Sequence, residues 1–348
     1  MTDLGKGGGE IDSVSGGEAS VHNTGGRNAA CLVRRICSRT ECRGGRKFPY
    51  IFTGFSMIDI YFGDNLPVLR DMAAGAVNLI YIDPPFNTGK AQRRTSLSTI
   101  RDEEGDRVGF KGRRYKTVRL ETRGYNDSFT NLPAFLRPRL EEARRVLADD
   151  GSMFFHIDYR ESHYCKVMLD EIFGRDSFIN EIIWAYDYGA RSRTRWSTKH
   201  DTILWYAKNP ESYVFDYESI DRIPYMAPGL VGPEKAARGK TPTDVWWHTI
   251  VSPNGREKTG YATQKPLGIL RRIVKVHSRP GDMLCDFFAG SGSFGAAALE
   301  LGRDCVLVDE NPEALRVMER RFAGEDVRWH GWPPDFSAAG GGDSPEGR

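Results

Sequence analysis

Four consecutive residues, Asp83-Pro84-Pro85-Phe86, join hydrogen-bond acceptors to an aromatic face. Two prolines in succession fix φ twice and remove two backbone donors, so the carbonyls of Asp83 and Pro84 have only acceptor functions to offer. A carboxylate and a carbonyl can each accept a hydrogen bond from an exocyclic amine, and Phe86 can stack on the ring that carries it. The chemistry this suits is capture of an amino-bearing planar base. A proline turn closing a core strand is the plain structural alternative, so the rest of the chain has to decide.

A second cluster lies in the C-terminal third. Phe288-Ala289-Gly290-Ser291-Gly292 is a glycine-rich turn between Met283-Leu284-Cys285-Asp286-Phe287, which reads as a strand, and a helix beginning at Ser293. Glycine lets backbone approach a ligand closely. The next apolar run ends at Asp309, about 20 positions after the first glycine, the offset at which a carboxylate reaches ribose hydroxyls in dinucleotide folds. The full three-glycine phosphate fingerprint is missing. A ribose-holding acid without that cradle fits a nucleoside cofactor better than a dinucleotide.

These residues need a sheet to hold them. Leu79 to Ile82 is a short apolar run ended by proline, and a residue before proline is pushed out of the helical region, which places Asp83 at a strand's carboxyl end. Ile58 to Phe62 reads as a strand, Gly63-Asp64-Asn65 as a turn and Leu66 to Met72 as a short helix; strand, helix, strand suggests a parallel α/β sheet. Asp64 is either a ligand contact or a helix cap. Apolar residues recur at helical spacing from Asn131 to Leu147, with Asp149-Asp150-Gly151 expected to end that helix. Strands are expected over Ser152 to Ile157, Ile179 to Trp184 and Thr202 to Tyr206, and a helix over Ser162 to Phe173. His156 and Asp158 fall at a strand's carboxyl end, where ligands gather in such sheets; His156 is read as structural.

The 348 residues carry 49 Lys and Arg against 47 Asp and Glu, a net charge of +2, so any nucleic-acid surface must come from local clustering. Residues 90–123 are strongly basic and include Arg113 and Arg114; they are expected to be a loop that orders over DNA phosphates, or else a merely solvated one. Arg191, Arg193, Arg195 and Lys199 open a stretch interleaved with aromatics, and 209–260 is expected to carry target recognition. Trp246 and Trp247 within it are read as core anchors. Residues 1–46 have the composition of a disordered tail. Because Met57 directly precedes the first strand, 1–56 is expected to be dispensable or upstream sequence, with a basic DNA-binding arm as the alternative; 331–348 is expected to be a second tail. No apolar run nears the roughly 20 residues that cross a bilayer, and the expectation is a soluble, cytoplasmic, nucleoid-associated protein. Cys31, Cys37 and Cys42 with His22 are too irregularly spaced for zinc, and no metal is expected.

Asp-Pro-Pro-Phe resembles the catalytic motif of amino-methylating DNA methyltransferases, which flip their target base out of the duplex. Phe-x-Gly-x-Gly is similar to the S-adenosylmethionine motif of that family, and Gln264-Lys265-Pro266 to the segment before it. The order of catalytic strand, recognition segment and cofactor half matches the β group of the family, over about residues 57 to 323. The resemblance implies a doubly wound, mostly parallel seven-stranded sheet entered midway by the chain, with a catalytic half over 57–208 and a cofactor half over 261–330. It also implies catalysis at Asp83, Pro84, Pro85 and Phe86, and S-adenosylmethionine held by Asp64, Lys265, Asp286, Phe288, Gly290, Gly292 and Asp309. Asp309 departs from the glutamate of most relatives. Adenine N6 in double-stranded DNA is the expected target, since cytosine-N4 enzymes more often carry Ser where Asp83 stands. Cytosine N4, a protein or RNA amide, and a non-catalytic DNA-binding module remain open; a partner restriction endonuclease and a homodimer are further possibilities of the family.

Overall fold

How completely each apolar run is buried decides where it sits. The computed structural model describes residues 56–86, 131–189, 191–252 and 255–332, together with the backbone of 90–101, 107–108 and 114–127. In chain order the elements are β1 (Ile58–Phe62), α1 (Asn65–Asp71), β2 (Val77–Ile82), β3 (Lys90–Arg101), β4 (Arg107–Val108), β5 (Arg114–Asp127), α2 (Leu132–Val146), β6 (Leu147–Ile157) and α3 (Ser162–Phe173). They continue with β7 (Phe178–Ala185), β8 (His200–Ala207), α4 (Pro233–Arg238), β9 (Val245–Trp247), α5 (Leu267–His277), β10 (Met283–Asp286), α6 (Ser293–Glu300), β11 (Asp304–Asp309), α7 (Pro312–Arg321) and β12 (Val327–His330).

All of β2 except Asn78 is buried, the mark of a strand covered on both faces. Its alternate residues divide the core: Leu79 and Tyr81 pack with α5, α6 and α7 through Leu270, Phe294 and Leu315, while Ile80 and Ile82 pack with α1, α2 and α3 through Leu69, Leu136 and Leu169. The main sheet runs β12-β1-β11-β10-β2-β6-β8-β7-β9. It has nine strands rather than seven: the expected seven lie at its centre, and the short β12 and β9 extend its edges. β10 and β11 come late in the chain yet lie between β1 and β2, so the permuted order read from the motifs is built into the sheet. Pairing is parallel from β12 to β6 and antiparallel at β6–β8 and β8–β7. Parallel pairing brings the ends of β1, β11, β10, β2 and β6 to one edge, which is where such sheets bind ligands.

Several expectations need correcting. Residues 90–123 are not a loop: β3, β5 and β4 form a three-stranded antiparallel sheet in which Lys90 pairs with Asp127 and Arg101 with Tyr115. Thr95, Thr99, Ile100, Tyr115, Thr117 and Val118 supply strand-forming residues, and the basic composition hid them. Arg113 lies outside the described residues, and Arg114 opens β5. The helix ending at Val146 passes straight into β6, so Asp149-Asp150-Gly151 lies in a strand. A Cβ on Gly151 would stand 2.8 Å from the Asn78 carbonyl, so glycine there lets β6 close on β2. Within 209–260, β9 joins the main sheet beside β7, burying Trp246 and leaving Trp247 exposed. The proposed N-terminal tail through residue 55, its cysteines and His22, and residues 333–348 lie outside the described residues. No described helix is long and apolar enough to cross a membrane.

Candidate active site

At the carboxyl edge of the sheet a cavity of about 370 Å³ is lined by the ends of β1, β2, β10 and β11 and by the start of α6. That is within the range of small-ligand sites. Asp83, Pro84, Pro85, Phe86, Asp64, Lys265, Asp286, Phe288, Gly290 and Asp309 all line it. Ten residues spread along the chain thus meet in one place.

At one end, the strand break after Ile82 presents Asp83. Its Oδ2 pairs with Lys265 Nζ at 2.8 Å, and the same ammonium lies 4.6 Å from the Phe86 ring centroid. Oδ1 of Asp83 is buried with no hydrogen-bond partner among the described residues. A buried carboxylate oxygen without a donor is costly, and here it lies beside the cavity. Behind it Tyr81 Oη and His156 Nδ1 are 2.7 Å apart, His156 Nε2 and Asp201 Oδ2 3.3 Å, and Tyr186 Oη donates to Asp201 Oδ1 at 3.2 Å. Burial pushes the Tyr81 phenol well up and the nearby Asp83 adds to it. Burial alone would raise the Asp201 carboxyl, but His156, with Lys265 and the Tyr186 hydroxyl, holds it below its usual range. His156 is fully buried in this network, the structural role expected of it.

At the other end, β10 runs into Asp286, which takes the Phe288 N–H on Oδ1 at 3.0 Å. Burial raises Asp286 well above the usual carboxyl range, and the carboxylates of Asp83 and Asp309 add to the rise. Gly290, at φ +52°, donates its N–H to Asp309 Oδ2 at 2.7 Å, while Asp309 Oδ1 accepts the Asn311 N–H at 2.8 Å. Burial lifts Asp309 to about 6 against those two bonds. The turn and the acid are therefore one unit, with the Gly290 backbone held open to the cavity.

Asp64 is the helix cap that was one of its two readings, and it also stands in the cavity wall. It caps α1 through the Leu66 N–H at 3.1 Å and lines the cavity, but its Oδ1 also accepts from Arg139 at 2.7 Å. Arg139 further donates to Asn65 Oδ1 at 2.6 Å, and Asn65 donates to the Phe287 carbonyl at 2.5 Å, tying α2 and the start of α1 to the residue before the glycine turn. Arg139, Asn65 and Tyr261 line the cavity and were not foreseen. Arg139 was readable: it sits on the stripe of Leu136, Leu140 and Ala143, where an arginine interrupts a buried face. Lys265, expected at the cofactor, lines the cavity and pairs with Asp83. Gly292 does not line the cavity; at φ +69° its Cβ would stand 2.8 Å from Met318 and 2.9 Å from Phe322, so it packs α6 on α7. Arg191, Arg193, Arg195 and Lys199 lie outside the cavity, on the segment joining β7 to β8. Arg191 pairs with Asp187 at 2.7 Å and Lys199 donates to the Tyr188 carbonyl.

A family profile described as DNA methylase matches residues 77–320. Type II methyltransferase M.HpaI of Haemophilus parainfluenzae is 26% identical over 279 residues, 78% of each chain. DNA adenine methyltransferase YhdJ of Escherichia coli K12 is 27% identical over 284 residues, 78% of this chain and 83% of that one. Among solved structures, the cytosine-N4-specific PvuII DNA methyltransferase superposes with a TM-score of 0.52 at 15% identity, covering 79% of this chain and 90% of its own. The M1.HpyAVI complex with SAM gives 0.50 at 20% identity, covering 77% and 100%. At these identities the structural likeness is one of fold.

Proposed function

The chain belongs to the DNA methylase family of N6 and N4 amino-methyltransferases, and from that premise we propose that it methylates the exocyclic N6 of an adenine flipped out of double-stranded DNA. The observation that carries this reading is Oδ1 of Asp83, buried without a hydrogen-bond partner among the described residues, in the wall of a cavity that is also lined by Pro84, Phe86, the Gly290 turn and Asp309.

S-adenosylmethionine is the methyl donor, supplying an electrophilic methyl on a sulfonium. The residues present fit it: Asp309 offers carboxylate oxygen to ribose hydroxyls, the bare Gly290 backbone allows close approach, Phe288 offers an apolar face, and Asp64 lies across the cavity as an acceptor for an adenine amine. Asp286 lines the same wall, and the cavity's several carboxylates suit a cationic ligand. The amine of the target base has its lone pair delocalised into the ring, so it must pyramidalise to attack. Asp83 Oδ1 and the Pro84 carbonyl accept its two N–H bonds and stabilise positive charge as it develops on nitrogen. Phe86 stacks on the base and Pro85 keeps the turn rigid, so that nitrogen is held in one direction. The surplus proton leaves to solvent after transfer, and Asp83 need not act as a base. Lys265 holds Oδ2, which leaves Oδ1 as the oxygen for the amine.

Adenine is favoured over cytosine by the carboxylate at position 83 and by the sequence likeness to an adenine enzyme; the cytosine-N4 enzyme is alike in fold. DNA contacts at Arg191, Arg193, Arg195 and Lys199 and at the basic β3–β5 sheet are part of the same reading. Nucleoside analysis and modification-sensitive sequencing of DNA from an expressing host test it. N6-methyladenine at a defined site is expected; N4-methylcytosine would replace adenine by cytosine, and unmodified DNA would overturn the proposal.

A further inference from the structure

The segment between β7 and β8 is built to hold one ring in water. Its base is closed by the Tyr186 N–H on the Lys199 carbonyl at 3.0 Å. Its tip is tied by the Ser192 N–H on Ser197 Oγ at 2.7 Å and by the N–H groups of Thr194 and Arg195 on Ser192 Oγ at 3.2 and 3.3 Å. On this fastened turn Trp196 is 97% exposed. A tryptophan buries roughly 150–250 Å² of surface when covered, and tryptophan is enriched at interfaces.

Charge and place say what covers it. Arg193 and Arg195 precede Trp196 on the same turn, both exposed and neither in an ion pair among the described residues, which suits phosphates rather than an apolar protein face. β7 and β6 are each antiparallel to β8 and so run the same way, and the turn leaves from the edge that carries Asp83. β8 stands two strands from β2 in the sheet. β7, where the turn begins, stands three, so at about 4.8 Å per strand the turn is rooted about 10 to 14 Å from β2, comparable with the roughly 12 Å width of a major groove.

Resting on the DNA-methylating reading, we propose that Trp196 enters the base stack of the bound duplex and fills the space that the target base leaves on swinging into the Asp83 cavity, with Arg193 and Arg195 on the neighbouring phosphates. Extruding a base sacrifices its pairing and stacking, and an aromatic ring in the vacancy restores part of the stacking.

The test uses the full chain and a duplex carrying the site recovered by sequencing, with the target base either paired or mispaired. W196A should methylate the paired duplex about tenfold more slowly or worse, with W196F intermediate. On the mispaired duplex, whose base is already loosened, the deficit should shrink to about threefold or less. Cofactor affinity and the salt dependence of DNA binding should stay as in the wild type. An equal deficit on both duplexes, or none on either, would overturn the inference. Failure of the wild-type protein itself to bind or methylate the duplex would overturn the DNA reading and this inference with it.

Discussion

Lys265 Nζ and Asp83 Oδ2 form an ion pair at 2.8 Å, with side chains only 12% and 15% exposed. Removing one member of a buried pair leaves an uncompensated charge, at a cost of about 3 kcal/mol or more. Lys265→Met should therefore lower stability by about that much, while the double variant Asp83→Asn with Lys265→Met recovers most of it. Urea denaturation of the two single variants and the double checks this; additive losses would mean that the pair is not made.

Asp309 gives a pH signature. Its carboxyl is raised by burial to about 6, and on the proposed reading it is the ionised form that accepts from the ribose hydroxyls. Cofactor affinity should be level above about pH 6 and fall about tenfold per pH unit below it. Because the folded pKa is raised, the stability that Asp309 itself contributes is full below the ordinary carboxyl pKa of about 3.9 and is lost as pH rises through about 6. Calorimetric titration of S-adenosylmethionine from pH 5 to 8 reads the binding half. Asp309→Asn should weaken binding and flatten the profile; a flat wild-type profile would remove Asp309 from the ribose.

The two glycines of the turn should separate by phenotype. Alanine strains the left-handed backbone at both positions, but a methyl on Gly290 meets only the Tyr261 ring, at 3.1 Å, and stands in the cavity wall, so Gly290→Ala should show the larger loss of cofactor affinity and the smaller loss of unfolding temperature. Gly292→Ala forces a methyl onto Met318 and Phe322 and should do the reverse. Melting curves with and without cofactor distinguish them, and matching phenotypes would refute the division of roles.

Neutralising Arg193 or Arg195 should cut the salt slope of DNA binding by about one unit for each phosphate left without its arginine, and site preference should stay unchanged. Slopes from affinity measured across a salt series decide it. An unaltered slope would return both arginines to a solvated surface.

The parts of the site that were legible in the sequence are those written in neighbouring residues. Pro84 and Pro85 stop β2 at Asp83, and Gly290 with Asp309 marks the far end; both signals are local and survive any error in topology. Pairings between distant segments were not legible. Nothing in Gln264-Lys265-Pro266 says that its lysine reaches Asp83, and Gly290 and Gly292 look alike until α7 is packed behind one of them. β9 and β12, at 3 and 4 residues, are too short to announce themselves and depend on the sheet they extend. The β3–β5 sheet was hidden for a different reason, because a strongly basic composition masks the strand-forming residues interspersed in it.

Most direct is the comparison of Asp83→Ala with the wild type in two measurements, transfer of labelled methyl from S-adenosylmethionine to DNA and calorimetric affinity for S-adenosylmethionine. Loss of transfer by about 100-fold or more, with cofactor affinity nearly intact, is the predicted result, because the proposed mechanism has Asp83 facing the base and Asp309 holding the ribose. Wild-type transfer by Asp83→Ala would contradict the account.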